Sequence, residues 1–257
     1  MLSGTRLRPE GRRTARAVVA TTAEVLERGG LDEGALAPWE RRRLAKVRVP
    51  DRRDDVLAAR LLLRLCAARL TGWPPRELVP VQFCADCGRH GHGRPFLWDH
   101  PEVGISLSHA DGLVAAAAGP GAVGVDVEPA GRRVGPPPMR ARLLGEAGLR
   151  DAAARPDPGR AVLRQWVRGE ALFKAGHRTG PLLPRPPGLP WADGPGSHPS
   201  RLDGLYVLDW TDERRAAVVT AVAAAPVRLL SAASLLTPSA PRAPHTPRAP
   251  RALHETM

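Results

Sequence analysis

The chain has 257 residues, 43% of them hydrophobic, and a formal net charge of +12 from 38 basic and 26 acidic side chains. That length buries a real core as one larger domain or two small halves, and no apolar run approaches the roughly 18 residues that a membrane span requires. Three cysteines imply no disulfide framework. The start MLSGTRLRPEGRRTAR carries arginines without the apolar core of a secretory signal, so the chain reads as soluble and cytoplasmic.

Residues 1–16 are expected to be a flexible segment. An apolar stretch at Ala17 to Thr21 predicts a first strand, and PDRRDDVLAARLLLRLCAARLTG predicts a long helix stopped by Gly72 and Pro74. Residues 41–64 hold nine basic and three acidic side chains, a segment suited to phosphates or to an acidic protein partner. A solvated face has the same composition. Arg53, Arg60 and Arg64 fall at i, i+7 and i+11, on one helical face, where they can converge on one anion.

Further on, VGISLSHADGLVAAAAGPGAVGVDVEP predicts three strands, 103–108, 113–118 and 122–128, joined by turns at Asp111-Gly112 and Pro120-Gly121 as a β-meander. The first and third strands then run the same way, bringing Ser108 and His109 near Glu128. Weaker helical signals at 138–154 precede GRAVLRQWVRGEALFKAG, which has a helical period with Val162, Trp166, Gly169 and Phe173 as its stripe. Seven prolines between Arg178 and Ser200 predict a loop. Strands are expected in GLYVLDW and RAAVVTAVAA, and the low-complexity tail from residue 238 to 257 is expected to be disordered.

Strand alternation turns Val123, Val125 and Val127 to a core and places Asp126 and Glu128 together on the other face, roughly 7 Å apart. Two carboxylates so spaced can share a hard divalent ion, for which magnesium is the natural candidate. An ordinary half-solvated strand shows the same alternation. Glu170 and Lys174 are i, i+4 neighbours, the pattern of a surface ion pair. Lys174 is, however, one of only two lysines, with Lys46, in a chain that otherwise uses arginine, which points to a need for a compact ammonium.

Ser108 and His109 are adjacent on a strand and point oppositely, which excludes a nucleophilic dyad and suits them instead to phosphate oxygens. Cys84, Cys87, His90 and His92 contain the donor set of a zinc site at closer spacing than in the usual finger. The reading there is a loop with incidental thiols, and Cys66 falls on a core face of the long helix. The arginine habit weakens any inference from basic charge to nucleic acid. Six Trp, three Phe and one Tyr without basic and aromatic interleaving argue against a stacking platform.

GRP at 93–95, SLSH at 106–109, GVDVE at 124–128 and WVRGEALFK at 166–174, in this order and spacing, resemble the surfactin-type 4'-phosphopantetheinyl transferases. The resemblance covers about residues 40 to 230. It implies an α+β fold of two similar halves related by a pseudo-twofold axis, here 17–118 and 119–237, with coenzyme A in the cleft between them. It also implies transfer of phosphopantetheine from coenzyme A to a serine of an acidic acyl or peptidyl carrier protein of fatty-acid, polyketide or nonribosomal peptide assembly, by a monomer. By motif match Asp126, Glu128 and Glu170 surround Mg2+, Glu170 is also the base, and Lys174 meets the pyrophosphate. Arg94 and Pro95 match the coenzyme-binding G-K-P, and Ser108 and His109 match the S-H that contacts phosphates. Arg53 and Arg60 are the further candidates for the coenzyme's phosphates.

Two departures stand out. Gly169 occupies the place of the first lysine of the helix motif, and Arg168 beside it points about 100° away. The proline-rich segment that follows differs from the family's docking loop, so a non-catalytic binder of coenzyme A or of a carrier protein is the alternative reading.

Overall fold

The computed structural model describes residues 14–84, 87–88, 90–177 and 189–237. Most of the N-terminal segment, the 238–257 tail and the proline-rich stretch 178–188 lie outside the described residues. In chain order the elements are β1 (Ala15–Thr21), α1 (Thr22–Arg28), α2 (Pro38–Leu44), α3 (Pro50–Thr71), β2 (Pro80–Phe83), β3 (His90–Leu97), β4 (Val103–Ala110), β5 (Leu113–Pro120) and β6 (Val123–Pro129). There follow α4 (Pro137–Ala153), α5 (Pro158–Lys174), β7 (Ser197–Leu202), β8 (Leu205–Asp212), β9 (Ala217–Ala223), β10 (Val227–Leu229) and α6 (Ala232–Leu236). The fold is α+β with two sheets, ordered β10-β1-β5-β4-β3-β2 and β6-β9-β8-β7.

Four layers result. Helix α3 opens with Pro50 in its first turn, where the missing N–H costs nothing. It ends at Gly72, whose φ of 80° is a left-handed cap that glycine adopts without strain. Its leucines pack on one face of the first sheet, against Val18, Val114 and Ile105. The opposite face carries small residues, Ala15, Ala17, Ala115 and Ala117, which meet Val123, Val125, Val127, Val219 and Ala221 of the second sheet. Burying that apolar area is the main force joining the sheets. On the far side of the second sheet, Val218 packs with Leu163 and Val167 of α5, and Val222 with Ala171 and Leu172.

The meander expected from 103 to 128 is only half realised. β4 and β5 pair antiparallel over their full length, but β6 leaves them at Gly121, whose φ is 69°, and pairs with β9. The backbone N–H of Val125 is taken by Ser106 Oγ at 3.0 Å instead of by a neighbouring strand. The proline-rich loop is also shorter than expected, because 197–202 form edge strand β7, where Pro199 is tolerated. Strands β2 and β3 and helices α2 and α6 had no clear local signature, whereas sequence reasoning missed that of α1, the Thr21–Glu24 capping box with Gly29 after its last turn. Phe173 is not part of the buried stripe of α5, being 42% exposed. The face that packs is Leu163, Val167, Ala171 and Leu172. Cys66 is buried as expected, and burial pushes its thiol up to about 12.

Candidate functional site

The short motif in β6 explains how the site is built. Gly124, Asp126 and Glu128 share the face that α5 covers. A Cβ at Gly124 would stand 2.0 Å from the Ala171 carbonyl oxygen and 2.6 Å from the Ala175 amide nitrogen. Only glycine lets the α5 backbone approach so closely. Helix α5, not solvent, therefore covers the two acids on that face: Asp126 is 5% exposed and Glu128 7%.

Three elements meet at Asp126. Its Oδ1 accepts a 2.7 Å bond from Ser108 Oγ of β4 and a 2.7 Å bond from Lys174 Nζ at the end of α5. Lys174 Nζ also reaches Ser108 Oγ at 3.0 Å, closing a triangle. The use of the rare lysine now has a reason: a compact ammonium fits between a hydroxyl and a buried carboxylate where a planar guanidinium would not. Glu128 accepts from Arg132 Nη1 at 2.7 Å and from the Trp166 indole N–H at 3.3 Å.

The Lys174–Ser108 side of this triangle opens into a cleft of about 900 Å³. Arg43, Arg60, Arg94, His109 and His177 line it, and no acidic side chain is among its described lining. Such a basic concavity concentrates anions. Pro95, Ser106 and Phe173 complete much of the wall. Gly176, with φ of 83°, leaves the space that the Arg94 guanidinium fills, since a Cβ there would stand 1.7 Å from Nη1. Burial pushes the His109 imidazole below its ordinary value, with Asp55 opposing and Lys174, Arg52 and Arg60 reinforcing the shift.

Behind the cleft the acids repel one another. Burial, then the charge of Asp126, raises the Glu170 carboxyl, with Lys174 opposing and Glu128 adding to the rise. Glu128 is raised by the same two causes in the same order, with Arg132 opposing. Asp126 Oδ2 is buried with no hydrogen-bond partner among the described residues. An orphaned carboxylate oxygen beside two acids that resist ionisation is the chemistry a hard divalent cation relieves, so Asp126, Glu128 and Glu170 fit such an ion. They are spaced more widely than a closed site: among the described residues only Cys84, Cys87 and His92 bring three donor atoms within 4.8 Å of one another.

The arginine face of α3 behaves differently from expectation. Arg60 and Arg64 do converge on one anion, but it is the fully buried Glu40 of α2, at 2.7 Å from Arg60 Nη1 and bonded to both nitrogens of the Arg64 fork. Arg64 is 1% exposed and closed to ligands. Arg60 still lines the cleft, whereas Arg53 bonds Glu33 and is not among the lining residues. Arg168 cannot stand in for the missing motif lysine, because it is buried and forks onto Asp209 at 2.7 and 3.0 Å. Sequence reasoning missed Arg43, Phe173 and His177 of the cleft. Arg43 lay within the basic segment, but nothing local distinguished it from its neighbours.

No protein-family model and no curated protein matches this chain. Among the described residues no helix is long and apolar enough to cross a membrane.

Proposed function

We propose that this chain is a 4'-phosphopantetheinyl transferase that moves phosphopantetheine from coenzyme A to a carrier-protein serine and releases adenosine 3',5'-bisphosphate. The observation that carries the reading is the Ser108–Asp126–Lys174 triangle at the floor of a cleft lined with arginine and histidine. Ser108, Asp126 and Lys174 come from three separate segments, and two of them, Ser108 and Lys174, line the anion-attracting cleft. The pairing of β1 with β5 and of β6 with β9, each under a long helix, also favours the two-half fold, although β10 of the second half crosses back to pair with β1 in the first sheet.

In this reading Arg94, Arg43, Arg60 and His109 bind and orient the coenzyme's phosphates, and Lys174 neutralises a pyrophosphate oxygen. The carrier serine Oγ bonds to the phosphorus bearing pantetheine, the bond from that phosphorus to the bridging oxygen breaks, and the bisphosphate leaves. Glu170 takes the serine proton directly or through water. Asp126, Glu128 and Glu170 would hold Mg2+, which supplies charge neutralisation on the transferred and leaving groups.

The test is incubation of apo carrier proteins from several pathways with coenzyme A and magnesium, followed by intact mass. A gain of one phosphopantetheine is expected, and its absence from every carrier would defeat the reading. The second reading, a non-catalytic binder, draws on Gly169 and on the buried state of Arg168, which leave one motif cation unreplaced. It is met by coenzyme A binding in calorimetry without any transfer.

A further inference from the structure

The β2–β3 hairpin carries a second set of chemistry. Its register shifts between Gln82 and Phe83, where the pairing jumps from Pro95 to His90. At Gly93, with φ of 90°, a Cβ would stand 2.6 Å from the Phe83 carbonyl oxygen. The two strands are thus pressed together at one point, and Gln82 Nε2 ties them by a 2.9 Å bond to the Gly93 carbonyl. Cys84 and Cys87, from the turn, and His92, from the opposite strand, place Sγ, Sγ and an imidazole nitrogen within 4.8 Å of one another. No disulfide joins the thiols, and Cys87 Sγ lies 2.9 Å from His92 Nε2.

We propose that Cys84, Cys87 and His92 form a zinc site that clasps the tip of this hairpin at the rim of the basic cleft. Two sulfur donors and one imidazole select a borderline-soft ion over magnesium or calcium. Ligand atoms of a tetrahedral zinc site stand about 3.5 to 3.8 Å apart, given Zn–S near 2.3 Å and Zn–N near 2.0 Å. Reaching that spacing takes an opening of the 2.9 Å Cys87–His92 contact and closes any pair that stands nearer the 4.8 Å bound, shifts of about an ångström or less. Three protein ligands leave a fourth position for water or another donor. Cys84 and His92 both line the cleft, as Arg94 does, so the site lies at its rim.

The physical reason for a clasp is the hairpin itself. Past Gln82 and Pro95 a single residue pair, Phe83 with His90, continues the ladder, and a bare two-stranded ribbon is marginal in water. A metal bridging the turn to β3 would hold the segment that delivers Arg94 to Gly176. This inference does not depend on the transfer reading, since it concerns metal content and not turnover.

The experiment is metal analysis of the full chain purified under reducing conditions without chelator, before and after zinc loading and desalting, together with cobalt(II) titration of the stripped protein. Stoichiometric zinc and a thiolate-to-cobalt charge-transfer band are expected, both lost in Cys87→Ser and in His92→Gln with unchanged far-UV circular dichroism. Cys87 and His92 are exposed, which protects the fold of these variants. No retained zinc and no charge-transfer band in the wild type, or full retention in both variants, would overturn the proposal. A Cys84–Cys87 disulfide that forms in place of metal uptake would overturn it too.

Discussion

Lys174 Nζ lies 2.7 Å from Asp126 Oδ1, tying the last turn of α5 to the middle of β6. Asp126→Asn keeps the shape of the side chain and an acceptor oxygen but removes the negative charge beside the ammonium. If the transfer reading holds, carrier labelling followed by intact mass falls by about 100-fold or more, the scale of losing one preorganised charge at a reacting centre. Lys174→Arg should rescue little, because the guanidinium cannot occupy the triangle.

Gly124→Ala tests the close approach of strand and helix. The new methyl meets backbone, not a yielding side chain, at 2.0 Å. We expect a loss of about 1 to 3 kcal/mol in denaturant unfolding. Labelling should fall as well, because α5 carries Glu170 and Lys174 away from Asp126. Unchanged stability would mean that the helix rides further from β6 than described.

Arg168 and Asp209 form a buried bidentate pair, with Thr220 Oγ1 donating to Asp209 at 2.7 Å. Arg168→Met strands a carboxylate that is fully buried and should cost about 3 to 5 kcal/mol. Pairing it with Asp209→Leu should recover much of that, and a double-mutant cycle by chemical denaturation measures the coupling. A loss of phosphate binding without loss of stability would instead make Arg168 a ligand contact.

Arg215 of the turn before β9 forks onto Glu24 of α1 at 2.7 and 2.8 Å, linking the two sheets' flanks. The Arg215 guanidinium lowers the Glu24 carboxyl from its ordinary 4.5 to about 2. A depressed folded-state value stabilises the protein above pH 4.5, and that contribution fades as pH falls from about 4.5 to about 2. Arg215→Ala should therefore lower Tm near neutral pH, by about 1 to 2 kcal/mol of stability, and the gap from wild type should close toward pH 2. A gap independent of pH would exclude the ion pair as its cause.

Much of the scaffold was legible because it is encoded over short range. The 3.6-residue period with Pro50 and Gly72 at its ends marks α3, and the alternation and turn glycines mark β4, β5 and β6 within a few residues. Strand β3 escaped because glycine, proline and histidine dominate it, and β2 and β7 because they are short and contain proline, so that their pairing comes from neighbours and not from propensity.

The chemistry-bearing residue types around β6 and α5 were likewise visible in order, but not their arrangement. The local turn at Pro120-Gly121 looks like a hairpin whichever sheet β6 joins; β9, beginning only at Ala217, supplies the pairing edge. The same applies to charge. Periodicity places Arg60 and Arg64 on one face, yet the anion they meet, Glu40, comes from another helix. Hydrogen bonding within a helix or turn reads only nearby residues, whereas burial and ion pairing depend on which distant segments the packed core brings together. Composition and period thus set the elements, and packing alone decided that Ser108, Asp126 and Lys174 touch.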